Sequence, residues 1–110
     1  MTGFDQLVRD MADLRAEDLK AWIDSGWLRP IRSDSDYEFS DVDVARCRFI
    51  VELRQEFEID DETMPMVLSL VDQVYGLRRR LRQLLAAVDR APEDARQALA
   101  RAIEEAEKED

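Results

Sequence analysis

The stretch LKAWIDSGWLRP, residues 19–30, decides the fold. Leu19, Trp22 and Ile23 lie three and four residues apart, the spacing of one buried helix face, and Gly26 stands where a residue in the left-handed region closes a helix. Trp27 and Leu28 follow as an apolar pair, and Pro30 directs the chain into an extended segment. Upstream, Phe4, Leu7, Val8 and Met11 repeat the i, i+3, i+4, i+7 pattern behind Thr2 as N-cap, which predicts a short first helix. Downstream, the polar tip Ser33, Asp34, Ser35 and Asp36 is flanked by Leu28, Ile31, Tyr37 and Phe39, the pattern of a small β-hairpin. Ser40 with Asp43 makes a start resembling a capping box, and Val42, Ala45, Phe49, Ile50, Leu53 and Phe57 supply the apolar face of a third helix.

A longer helix follows. Asp60, Asp61, Glu62 and Thr63 place carboxylates near a helix N-terminus, where the macrodipole favours them, and Pro65 is tolerated in a first turn whose amides are unpaired. Val67, Leu70, Val74, Leu77, Leu81, Leu84 and Val88 then alternate by three and four residues, the a/d pattern of a coiled coil. Gly76 is the weak helix former in this run. Pro92 stops the helix or restarts it, and Ala95, Leu99, Ala102, Ile103 and Ala106 give a thinner stripe that either folds back or stays mobile. The expected fold is mainly α, with a small β-wing: a head over 1–62, a dimerisation helix over 63–91, and an acidic C-terminal helix or frayed tail over 92–110.

Composition narrows the chemistry. The chain has 110 residues with 26 Asp and Glu against 16 Lys and Arg, no His and a single Cys. A domain of this size buries only about two-thirds of its unfolded surface, so self-association or a partner is expected. Without His, the usual proton shuttle and metal ligand are missing, and Cys47 alone makes neither an internal disulfide nor a multi-cysteine zinc site. No enzyme chemistry and no cofactor are expected. Asp60-Asp61-Glu62 lacks the Gly-containing loop that a calcium site wants. No apolar run reaches the roughly 20 residues of a membrane span. MTGFDQLVRD has neither a basic flank nor a signal core, and a cytoplasmic protein is expected.

The charge is unevenly placed. Residues 31–65 hold eleven acids against four bases, residues 66–91 five bases against two acids, and residues 92–110 seven acids against three bases. An acidic head repels nucleic-acid phosphates, so a basic protein partner fits better than a duplex.

The order helix, turn, helix, wing, helix, heptad helix resembles the MerR-type winged helix-turn-helix. Two anchors carry the likeness: residues 19–30, and YEFSDVDVAR at 37–46, which looks like the wing's return strand and the Asp-Val that opens the next helix. Leu53-Arg54-Gln55-Glu56 and Phe57-Glu58-Ile59 resemble the end of that helix and the turn beyond it. DNA-binding members carry basic residues on the second helix and wing. Here Glu17, Asp18 and Asp24 face only Lys20, and Glu38 sits between the two wing aromatics. The chain is closer to the CbpM-type chaperone modulators over residues 12 to 88. That resemblance implies a non-enzymatic inhibitor that binds the J-domain of a DnaJ/CbpA-like co-chaperone and blocks its access to the Hsp70 DnaK. The alternative is a MerR-like DNA-binding transcription regulator, which the arginines of the long helix favour and the acidic head opposes.

On this reading the partner-binding residues are Glu17, Asp18, Asp24, Trp27, Asp34, Asp36 and Glu38. The acids among them form either a recognition face or a solvated surface, and Trp22 and Trp27 are either core or, for Trp27 above all, an exposed anchor. The homodimer interface is Val67, Leu70, Val74, Leu77, Leu81, Leu84 and Val88, and the MerR likeness implies an antiparallel pair. Arg78, Arg79, Arg80 and Arg82 read as solvated charges flanking that seam, also able to pair with the acids of a partner.

Overall fold

The computed structural model describes residues 1–109 and is mainly helical, with five helices and a small three-stranded antiparallel sheet. The order is β1 (Thr2–Gly3), α1 (Phe4–Asp10), α2 (Ala16–Asp24), β2 (Ile31–Ser33), β3 (Asp36–Phe39), α3 (Asp41–Gln55), α4 (Met64–Asp89) and α5 (Glu93–Lys108). Two compact units divide the chain, Met1–Leu68 and Ser69–Asp110, so the boundary falls inside α4.

The head forms around Leu7, Leu19, Trp22, Ile50 and Leu53 of the periodic helix faces and Leu28 and Phe39 beside the hairpin. Cys47, outside the expected face of α3, is buried with them, and Met64 and Leu68 join from the start of α4. The turn at 25–28 has a defined cause. Gly26 takes φ +79°, the Gly26 amide donates to Ile23 O, and the Trp27 amide donates to Trp22 O at 2.9 Å. These are the two hydrogen bonds of a Schellman motif, which satisfy carbonyls that the end of α2 leaves open.

The sheet has the order β1-β3-β2. Ile31 stands opposite Glu38, Arg32 opposite Tyr37 and Ser33 opposite Asp36 across the hairpin, whose loop places Asp34 at φ 52°. Asp tolerates this left-handed conformation better than most residues. Thr2 opposite Phe39 and Gly3 opposite Glu38 add a third strand on the other edge of β3. Thr2 is therefore not an N-cap: Gly3 precedes α1 with an extended backbone and no side-chain cap, because the amides of this segment are committed to the sheet.

One residue past β3, Ser40 caps α3. Its hydroxyl accepts from the Asp43 amide at 3.2 Å while the Asp43 carboxylate accepts from the Ser40 amide at 3.0 Å, a complete capping box. The buried face of α3 is Cys47, Ile50 and Leu53, with Val44, Phe49 and Val51 half-buried beside it. Val42, Ala45 and Phe57 do not belong to that face. Ala45 points to the far side of the helix from Ile50, Val42 lies in the first turn toward solvent, and Phe57 follows the end of α3, where the helical register no longer applies.

Two variants test these local causes. Ser40→Ala should lower stability by about 1 kcal/mol through loss of the cap. Gly26→Ala, which meets open space but keeps the positive φ, should also lower it by about 1 kcal/mol. Urea unfolding followed by circular dichroism checks both, and midpoints equal to the parent's would remove the cap and the left-handed turn as sources of stability.

Candidate functional site

Two surfaces are candidates, one in each unit. The first is the face of the head built by α2 and the β2–β3 hairpin. Carboxylates in the first turn of α2 suit its positive end, which gives Glu17 and Asp18 a local reason to be there. Glu17 is exposed and makes no ion pair among the described residues. Asp18 is different: its carboxylate lies 3.3 Å from the Arg54 guanidinium, with both side chains about one-third exposed. Arg54 also reaches Asp61 at 3.8 Å and lies over the Trp22 ring at 5.6 Å. Asp18 is thus tied into the packing of α2 against α3.

Asp24 accepts from Lys20 Nζ at 2.9 Å on the exposed side of α2. The Lys20 pKa is raised, first by its hydrogen bond to Asp24 and then by that to Tyr37. Lys20 also lies 6.0 Å from the Tyr37 ring centre and Arg32 lies 5.5 Å from it, so two cations bracket one aromatic. Asp34 is exposed at the hairpin tip. The Asp36 carboxylate accepts from the Tyr37 amide at 2.7 Å, and Glu38 is half-buried on the central strand. Trp27 is half-buried and stacks on Trp22, ring centres 6.2 Å apart and planes 26° off parallel. Its carbonyl accepts from Arg46 Nε at 2.6 Å, so α3 holds the residue in place. The structure therefore places Glu17, Asp24, Asp34 and Asp36 on the surface of the head, while Asp18, Trp27 and Glu38 are partly spent on its packing.

Beside Arg54, Glu58, Ile59, Asp60, Asp61 and Glu62 line a shallow depression. Its acids have a structural role at the entry to α4: Asp60 Oδ1 accepts from the Thr63 amide at 2.8 Å. Hydrogen bonds from Thr63, the side chain first and the amide second, hold the Asp60 carboxyl below its ordinary value. No group of three potential metal ligands occurs among the described residues.

The second surface lies on α4. Leu70, Val74, Leu77, Leu81 and Leu84 are each about half exposed or more, Leu77 reaching 62%. Val88 is half-buried. Val67 departs from the expected seam, because it packs against the buried core of the head beside Leu68. The free stripe therefore begins at Leu70. No helix among the described residues is long and apolar enough to cross a membrane.

Sequence reasoning missed the joint role of Arg54, which had appeared only as part of the end of α3. Its partners Asp18 and Asp61 are 36 and seven residues away, and no spacing rule links them. It also missed the bracketing of Tyr37, since Lys20 and Arg32 come from different elements. Among known proteins, no family model, no curated protein and no solved structure matches the chain.

Cys47 is fully buried on α3, and burial pushes its thiol from 9.0 up to about 12. At pH 8 the folded protein should resist a thiol reagent and label only as fast as it opens. The same shift has a stability consequence. The unfolded thiol loses its proton from about pH 9 while the folded one keeps it to about pH 12, so stability should fall across that window. Labelling at pH 8 as fast as a small-molecule thiol would contradict both expectations.

Proposed function

We propose that this chain is a non-enzymatic, dimeric modulator working in the cytoplasm, which binds the J-domain of a DnaJ/CbpA-like co-chaperone and blocks its access to Hsp70. The observation that carries this reading is the acidic head face: Glu17, Asp34 and Asp36 are exposed and form no ion pair among the described residues. The resemblance to CbpM-type modulators implies a basic helix of the J-domain as the target, and an acidic competitor complements it. The helix, turn, helix, hairpin, helix order supports a MerR-like winged-helix head, and the exposed stripe from Leu70 to Leu84 supports a seam between two copies.

One local observation favours the second reading, a MerR-like DNA-binding regulator. Lys20 on α2 and Arg32 on the hairpin both lie near the Tyr37 ring, a local pair of cations of the kind that binds phosphate. Lys20 is already engaged by Asp24, and the surrounding acids oppose a polyanion.

Isothermal calorimetry against the J-domain of a CbpA-like protein tests the first reading. Saturable binding that weakens with salt is expected. Because Asp18 is engaged with Arg54 and Asp24 with Lys20, the clean variant is the double Glu17→Gln and Asp34→Asn, which removes two unpaired charges and keeps a residue that tolerates positive φ at 34. It should weaken the complex by about tenfold while leaving helicity unchanged. Unaltered affinity would reject this face, and no complex at low salt together with retention of DNA fragments in a gel shift would put the second reading first.

A further inference from the structure

The arginines of α4 are the feature that the acidic head does not absorb. Arg78, Arg79, Arg80 and Arg82 are all exposed, and none makes an ion pair among the described residues. They lie level with the middle of the free stripe that begins at Leu70: Arg78 and Arg80 edge it, Arg82 follows Arg78 one turn on, and Arg79 points away from it. In heptad terms Leu77 and Leu81 are seam positions, and Arg78 and Arg80 flank them on opposite sides at e and g. Two α4 helices packed together would therefore bring two arginine belts level with each other. This holds for an antiparallel pair, which layers Leu77 against Leu81 and brings Arg78 near its counterpart and Arg80 near its own. Like charges at flanking positions oppose association, so a seam made of α4 alone works against itself.

The missing counter-charge is present in α5. Glu104, Glu105 and Glu107 are exposed on its last turns and pair with no base among the described residues. Leu99 and Ile103 on the same helix are 40% and 51% exposed. The ion pair that α5 does make, Arg96 with Glu93, is internal to its first turn. An amphipathic acidic helix and a leucine stripe edged with arginine are complementary in both apolar face and charge, and in the single chain neither is satisfied by the other.

We infer that a second copy of this chain covers the α4 stripe and that its α5 lays Glu104 and Glu107, which border its Leu99 and Ile103 face, against Arg78 and Arg82, so that the acidic helix neutralises that edge of the dimer. The inference rests on the dimeric part of the proposed function and is independent of the J-domain. Each protomer gives its arginine belt to one α5 and its own α5 to the other belt, an exchange that closes as a pair.

Sedimentation equilibrium of the full chain at low and high salt tests it. The parent should be a dimer at micromolar concentration, weaker in high salt. The double Glu104→Lys and Glu107→Lys should raise the dimer dissociation constant by about tenfold or more at low salt. Adding Arg78→Glu and Arg82→Glu to that double should restore the dimer, a recovery that a misfolded chain would not show. A double variant that dimerises as tightly as the parent, or a four-fold variant that fails to recover, would overturn the role of α5. A monomeric parent would overturn the inference outright and assign the stripe to a different protein. Failure of the calorimetry with an intact, salt-sensitive dimer would reject the co-chaperone reading and leave this one standing.

Discussion

The pairing of β3 on both of its edges is the constraint from which the head is built. A strand of four residues with one neighbour would be a marginal element, and the N-terminal Thr2–Gly3 segment gives it a second. That arrangement holds Phe39 entirely out of solvent and sets Ser40, the next residue, at the start of α3. The aromatic series Phe4, Tyr37 and Phe39, with ring centres 6.2 and 6.4 Å apart along it, ties α1 to the same strand. Two helices and the hairpin thus take their positions from one short segment. Its hydrogen bonds and its buried ring reinforce each other.

Hydrophobic periodicity meets two fates in this chain. In α1, α2 and α3 one face of each helix, Leu7, Leu19 with Trp22, and Cys47 with Ile50 and Leu53, is buried in the head. In α4 the same regularity continues after Leu68 with nothing over it, so leucines at 54 to 62% exposure stand in rows. A few isolated apolar side chains on a surface need no explanation, but a continuous row at seam spacing does. The contrast follows the division of the chain: the buried core lies within the first 68 residues, and the leucine row lies in the second unit.

Much of this was legible in the sequence because its causes are local. The Gly26 turn needs only a helix end and a residue that accepts positive φ. The Ser40–Asp43 box lies within one turn, and Pro92 marks the start of α5 by its missing amide. What escaped depends on residues far apart in the chain. Nothing in Thr2–Gly3 announces a strand, since its partner lies more than thirty residues on, and a Thr before an apolar periodic run reads as a cap. The surface acids were equally hard to sort. Glu17 and Asp18 are neighbours of the same chemical type, yet one is free and the other is engaged by Arg54, a distinction set by the packing of α2 against α3. Val67 belongs to the heptad by spacing and to the head by contact, because the register is continuous across a boundary that only tertiary packing defines.

The stacked pair Trp22 and Trp27 has a further consequence, for how the molecule reports on itself. Both indoles lie in the first unit, and residues 69–110 contain none. Intrinsic tryptophan emission is therefore an optical channel for the head alone, with the Arg54 guanidinium over one ring making it sensitive to any change at the α2–α3 junction. Far-ultraviolet ellipticity draws heavily on α4 and α5, which contain most of the helical residues. One sample thus carries two separable signals, and the difference between them as temperature or denaturant rises measures how far the two halves of the chain melt as one.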